Sequence, residues 1–262
     1  MIRIKCASGF GDAIYMYPVA KHFIEQGEKD ITLMTNYSDI FKALPVKTIH
    51  HTKDWATHKI SYCGNKYKAG TSQFQDVCLA AGVPTDLEFK VDWSLRNKDL
   101  IENIRKMATR KGRRILVVAG PDKPFGRDDE FGIELTIDFK RYDDLLSRIH
   151  QDWYIVQICK QQPIHKLKYL DVNLMGKTTP SDVMDLISIA DRTMGQVGHI
   201  LPISECLGTP GLIWFSRSGL NCENRFINSI KPEKVIHYRD TMLHVIDDWS
   251  TDKLLKVWDA IP

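Results

Sequence analysis

Ser8-Gly9-Phe10-Gly11-Asp12-Ala13-Ile14 stands between the β-branched run Ile2-Arg3-Ile4-Lys5-Cys6 and a stretch in which Ala13, Met16, Tyr17, Ala20, Phe23 and Ile24 recur at helical spacing. That order predicts a strand, a glycine-rich turn and an amphipathic helix. Glycines in such a turn let the backbone bend sharply and approach a ligand, and the helix start offers unpaired N–H groups to an anion. A dinucleotide site fits poorly. Ile14 replaces the third glycine of the G-x-G-x-x-G fingerprint, and the second apolar run closes on Thr35-Asn36 without the acid that holds a ribose.

Outward from this stretch, short β-branched runs alternate with amphipathic segments, as parallel strands do with crossover helices. Strands are expected near 2–6, 31–34, 46–50, 114–119, 153–158, 172–175, 211–215 and 235–238. Helices are expected near 72–81, closing at Gly82-Val83-Pro84, from Asn97 to Arg110, and from Pro180 onward, where Thr179 is the N-cap and Asp182 lies in the first turn. The charged helix before Arg114-Ile115-Leu116-Val117-Val118-Ala119 marks the domain break. The expected division is 1–105, 106–245 and a final helix in 246–262, whose stripe of Leu254, Leu255, Trp258 and Ile261 would pack back on the first half.

Composition excludes only the extremes. The 262 residues are 43% apolar and 26% charged, enough to bury a core, with 36 Lys and Arg against 33 Asp and Glu. Arg105, Lys106, Arg110, Lys111, Arg113 and Arg114 form a local basic stretch, read either as a solvated helix end or as a phosphate-tracking surface. Six cysteines without a C-x-x-C pair, no signal-peptide run and no membrane-length apolar run lead to the expectation of a cytoplasmic protein without a membrane span. His50, His51 and His58 match no metal spacing with a known mechanism.

A second informative region holds Gly176-Lys177-Thr178-Thr179, a helix, then Asp191-Arg192-Thr193-Met194-Gly195 and, further on, Leu207-Gly208-Thr209-Pro210 before the strand Gly211-Leu212-Ile213-Trp214-Phe215. Together with Gly11, Asp12, Ile14 and Pro18, it resembles the heptosyltransferase-like glycosyltransferases, the family of the lipopolysaccharide ADP-heptose transferases. That family has a Gly-Asp pair after strand one, an aliphatic residue and a proline following at these positions, and Gly-x-Thr/Ser and Leu-Gly-Thr-Pro elements in this order.

The resemblance implies an α/β, GT-B-like fold, two Rossmann-like domains with parallel sheets facing a central cleft. It also implies an inverting, metal-independent glycosyltransferase that needs no cofactor beyond its nucleotide-sugar donor. Asp12 would be the general base on the acceptor hydroxyl; its position equally suits a helix cap. Gly9 and Gly11 would approach the donor, with Gly176, Lys177 and Thr178 before one helix. Gly195, Gly198 and His199 would form a phosphate turn ahead of a helix over 200–207, and Glu205 on that helix would reach a ribose or lie on an exposed face. Lys123, Arg127 or Lys140 would neutralise the departing diphosphate. Two positions depart from the family pattern: Val197 stands where an Asp is usual and Pro202 where a His is. The acceptor is expected to be a surface glycan or a hydroxymethylated DNA base. A non-catalytic nucleotide-sugar-binding protein and an NAD-dependent oxidoreductase are the alternatives.

Overall fold

The computed structural model describes residues 1–5, 9–50, 55–60, 73–119, 139–158, 167–196, 198–215, 236–238, 241–245 and 250–261. The chain forms two compact units, Met1–Trp93 and Ser94–Pro262.

In the first unit, β1 (Ile2–Lys5) leads into α1 (Phe10–Glu25), followed by β2 (Ile31–Met34), a 3-10 turn (Ser38–Phe41), β3 (Lys47–Ile49), β4 (His58–Lys59) and α2 (Gln73–Ala81). The strands pair in parallel in the order β3-β2-β1-β4. The chain therefore moves out to one side of β1 and later returns on the other, which makes the carboxyl end of β1 a topological switch point. Every residue of β2 is buried, as befits a strand covered on both faces. Helix α1 buries the unbroken run Ala13 to Ala20, including Pro18, whose ring removes the backbone donor that would have met the Ile14 carbonyl. Tyr15 stacks on Phe74 of α2 and on Phe89, and those two rings stack on each other with centroids 4.6 Å apart.

The second unit comprises α3 (Lys98–Arg110), β5 (Arg114–Ala119), α4 (Phe139–Ile149), β6 (Trp153–Ile158), β7 (Val172–Asn173), α5 (Pro180–Ile189), β8 (Arg192–Gln196), α6 (Ile200–Leu207), β9 (Gly211–Phe215), β10 (Ile236–Tyr238), β11 (Thr241–Val245) and α7 (Thr251–Asp259). Its sheet runs β10-β11-β9-β8-β5-β6-β7, and only the β10–β11 pairing is antiparallel. Without β10 this is the doubly wound Rossmann order, with its switch point between β5 and β8. The core gathers Leu116 and Val118 of β5, Tyr142, Leu145 and Leu146 of α4, Trp153 and Ile155 of β6, and Leu254 and Trp258 of α7.

Two features differ from the sequence expectation. The division falls ahead of 105/106 because α3 is tied to α5: the fully buried Asp185 carboxylate accepts from the backbone N–H groups of Arg96 at 3.0 Å and Asn97 at 2.7 Å. Asn97 also caps α3, accepting from Leu100 N–H, and donates through Nδ2 to Asp182 at 2.7 Å. Burial pushes the Asp182 carboxyl up, but the bonds from Asn97 and from the Thr179 backbone and hydroxyl outweigh it and hold the group below its usual range. Helix α7, expected on the first half, instead sinks Leu254 and Trp258 into the second unit's own core.

The clamp on α7 is Arg192. Its guanidinium lies 5.4 Å from the Trp153 ring centroid and 4.9 Å from that of Trp258. It donates to the carbonyls of Trp258, at 2.8 Å, and Ile261. A cation so placed satisfies carbonyls that the helix end leaves open.

The Asp185 junction yields a stability prediction. Asp185→Ala should lower unfolding stability by about 2–3 kcal/mol, since two part-buried N–H groups lose a charged acceptor. Asp185→Asn, which keeps one acceptor oxygen, should lose less. Urea unfolding midpoints of the three proteins measure the difference, and equal midpoints would contradict this account of the junction.

Candidate functional site

In the first unit the informative turn closes on itself. Gly9 is the N-cap of α1 in an extended conformation, and its N–H donates to Asp12 Oδ2 at 3.0 Å. The half-buried Asp12 lies in the first helical turn, at the carboxyl end of β1 beside the switch point, and Gly11 lies in the same turn. A Cβ on residue 9 would stand 2.7 Å from Asp12 Oδ2, so a larger residue there would make the carboxylate shift. Phe10 stacks on Tyr37, which follows β2, with centroids 5.1 Å apart.

In the second unit the carboxyl end of β8 turns into α6. Gly195 and Gly198, which look alike in sequence, answer different constraints. A Cβ on Gly195 would come within 2.9 Å of the Ala119 Cβ, so its small size lets β8 lie against β5. Tyr142, fully buried on α4, donates from its hydroxyl to the carbonyls of Ala119 at 3.3 Å and Met194 at 3.4 Å, at the ends of the same two strands. Burial raises the Tyr142 phenol well above its usual range, which keeps it a donor.

Gly198 is exposed, and a Cβ there would meet nothing within 4 Å. Among the described residues, neither a positive φ nor a neighbour requires glycine at this point. The open space beside a helix start is room for an anion. His199, the half-buried N-cap of α6, accepts from Ile203 N–H at 3.3 Å. Pro202 falls in the first turn of α6, where proline is tolerated, but it removes one of the donors that a helix start otherwise presents.

The remaining expected residues scatter. Gly176 has a left-handed backbone (φ +66°) in the turn after β7, followed by exposed Lys177 and half-buried Thr178. This turn lies at the same carboxyl edge as the β8–α6 turn, three strand positions away, or about 14 Å at the usual spacing. Lys140 is exposed in the first turn of α4. Glu205, expected at a ribose or on an exposed face, is instead buried at 4% exposure among the packed residues of α6. Lys123, Arg127 and Val197 lie outside the described residues. The structure adds two residues that the sequence did not single out, Ala119 and Tyr142. The only sequence signal for either was the end of an apolar strand and a lone aromatic in a helix.

No family model matches the sequence, and no curated protein matches it. Solved structures do resemble it. ADP-heptose lps heptosyltransferase II of E. coli superposes with a TM-score of 0.59 at 11% identity, covering 100% of this chain and 98% of that one. The iron-containing dodecameric glycosyltransferase TibC of enterotoxigenic E. coli gives 0.64 at 11%, covering 99% and 75%. A glycosyl transferase family 9 protein from Veillonella parvula gives 0.62 at 8%, covering 99% and 97%. At these identities the likeness is one of fold: the chain has the heptosyltransferase-like GT-B fold.

The two glycines make opposite predictions. Gly195→Ala should destabilise the protein by about 1–3 kcal/mol, the usual cost of overpacking. Gly198→Ala should leave the unfolding midpoint nearly unchanged. Thermal and urea unfolding of the pair decide it, and equal effects would refute the assignment of Gly195 to the β5–β8 contact.

Proposed function

We propose that the chain is a glycosyltransferase that moves a sugar from a nucleotide-diphosphate donor to an acceptor hydroxyl with inversion and without a metal. The observation that carries this reading is the Asp12 carboxylate, oriented by Gly9 N–H at the carboxyl edge of a chain whose whole length follows the heptosyltransferase fold.

In this mechanism Asp12 takes the acceptor's hydroxyl proton while the oxygen attacks the anomeric carbon. The bond from that carbon to the diphosphate breaks, and the electron pair leaves with the nucleotide diphosphate. The second unit holds that leaving group. The Gly198–His199 turn and the start of α6 supply backbone donors and the positive end of a helix dipole, and Lys140 supplies charge. The turn holding Gly176, Lys177 and Thr178 is far enough away to suit the nucleoside end of the donor while the β8–α6 turn takes the phosphates. Cytoplasmic placement remains part of the proposal; what the structure gives is that, among the described residues, no helix is long and apolar enough to cross a membrane.

Between the two acceptors, we take the glycan. The basic stretch was the one sequence feature pointing to DNA. Lys111 and Arg113 in it pair with Asp171 at 2.6 and 3.2 Å, and Arg114 lies 4.1 Å from the Trp153 ring centroid. These residues sit at the amino end of β5, the edge opposite the β8–α6 turn.

Asp12→Asn should cut turnover by about two to four orders of magnitude, the range of general-base catalysis. Donor binding, read as a thermal shift with a panel of UDP-, GDP-, ADP-, CMP- and dTDP-sugars, should stay close to that of the parent protein. Near-native turnover in this variant would remove Asp12 from the mechanism, and a panel without any shift would sink the donor assignment.

A second test addresses the phosphate turn. Gly198→Val should weaken nucleoside diphosphate binding far more than nucleoside binding, because the side chain would fill the space beside the α6 start. Turnover should persist in excess EDTA. Equal loss of both ligands, or activity lost to EDTA and restored by magnesium or manganese, would contradict the proposal.

A further inference from the structure

Helix α3 has two faces with different tasks. Ile101, Ile104 and Ala108 are buried, and the helix packs on β5 and α5. Its outer face carries Arg105, Lys106, Met107 and Arg110, all exposed, with Met107 at 39% exposure. Beyond it Lys111 and Arg114 are also exposed, and no acid occurs from 103 to 114. The acids around this face are few, and Asp99 lies on the same stripe as Lys106 and Arg110, in the first turn of the helix. Glu102 stands one turn before Arg105 and Lys106, Asp171 is engaged by Lys111 and Arg113, and Asp152 lies next to Trp153 at the amino end of β6. None of Arg105, Lys106 and Arg110 forms an ion pair among the described residues.

Helix-end electrostatics explains only part of this. Cations in a last turn complement the carbonyl end of a helix, which accounts for Arg110 and Lys111. Arg105 and Lys106 lie upstream of that turn, where the dipole exerts little effect.

We propose that the outer face of α3 docks the protein on an anionic lipid surface, with Arg105, Lys106 and Arg110 meeting the headgroups and Met107 entering the boundary beneath them. An apolar side chain flanked by Lys106 and Arg110 suits the headgroup layer, where amphipathic helices bury one side. A phosphodiester backbone offers Met107 no such place. Position argues the same way. β5 spans six residues between this face and its carboxyl end, about 20 Å of strand. A nucleic acid held on α3 would thus be kept from the carboxyl edge, whereas a lipid surface needs only to hold the protein nearby.

The test is cosedimentation of the full chain with phosphatidylcholine vesicles, with and without phosphatidylglycerol, over a salt series and beside a duplex DNA of unrelated sequence. The protein should sediment only with the phosphatidylglycerol vesicles and be released by salt. Each cation near such a surface contributes about fivefold in partitioning, so Arg105→Gln, Lys106→Gln and Arg110→Gln combined should weaken it by about a hundredfold. Met107→Ser should weaken it a few-fold while leaving any DNA binding unchanged. Circular dichroism of the triple variant verifies its fold, and the three single substitutions, each expected at about fivefold, serve if it is perturbed. Absence of phosphatidylglycerol-dependent sedimentation, or sedimentation indifferent to these substitutions, overturns the proposal. So does tighter binding to the duplex than to the vesicles that the triple variant abolishes, which would assign the face to nucleic acid.

Discussion

The contact between β5 and β8 at their carboxyl ends sets the geometry of the second unit. At this seam the strand order reverses, and it closes only because residue 195 has no side chain to strike Ala119. The Tyr142 hydroxyl lies across both strand ends and supplies a donor to the Ala119 and Met194 carbonyls. A buried carbonyl left without a donor would be costly, and the tyrosine supplies one where β5 ends. The β8–α6 turn begins just beyond the seam. Its position is inherited from the contact and not set by its own residues.

The opposite edge of the same sheet is closed by charged side chains. Asp191 accepts from Ile115 N–H at 2.7 Å, and Asp171 accepts from Ile155 N–H at 2.9 Å while holding Lys111 and Arg113. Arg192 is buried between two indoles with the α7 carbonyls as acceptors, and burial, then repulsion from Arg114, lowers its usual range. Buried charges persist only where partners surround them, and here the partners are backbone groups at strand and helix ends. One edge is thereby committed to structure. In the proposed function, ligand chemistry falls to the other edge, where helices following parallel strands begin.

These long-range partners decide what the sequence could reveal. β1, α1 and the Thr179-capped start of α5 were legible because each is specified within a few residues. β8 was not among the expected strands, since Arg192 and Thr193 interrupt its apolar run. Their burial makes sense only with Trp153, Trp258 and Ser204 in place. The domain boundary escaped for the same reason, because Asp185 meets Arg96 and Asn97 across most of a domain's length of chain. The short β4 and the strand β11 carried too little pattern to declare themselves. Among the site residues, glycine at 195 and glycine at 198 were indistinguishable until their neighbours were known.

The chain contains its own control for reading Asp12. Thr179 and Asp182 stand at the same i, i+3 spacing as Gly9 and Asp12, also at the start of a helix. There the bonding is reciprocal: Thr179 Oγ1 accepts from Asp182 N–H at 3.1 Å, and Asp182 Oδ2 accepts from Thr179 N–H at 2.8 Å. That aspartate is buried and also bound by Asn97, so its oxygens serve the fold. At α1 glycine provides no side chain to return the bond, although serine or threonine would have added one to the cap. The pair at α1 thus forgoes the second bond of the cap while its half-buried carboxylate is held at a switch point. The proposed function gives the Asp12 carboxylate a task beyond the helix it caps, whereas the oxygens of Asp182 are taken up by Thr179 and Asn97.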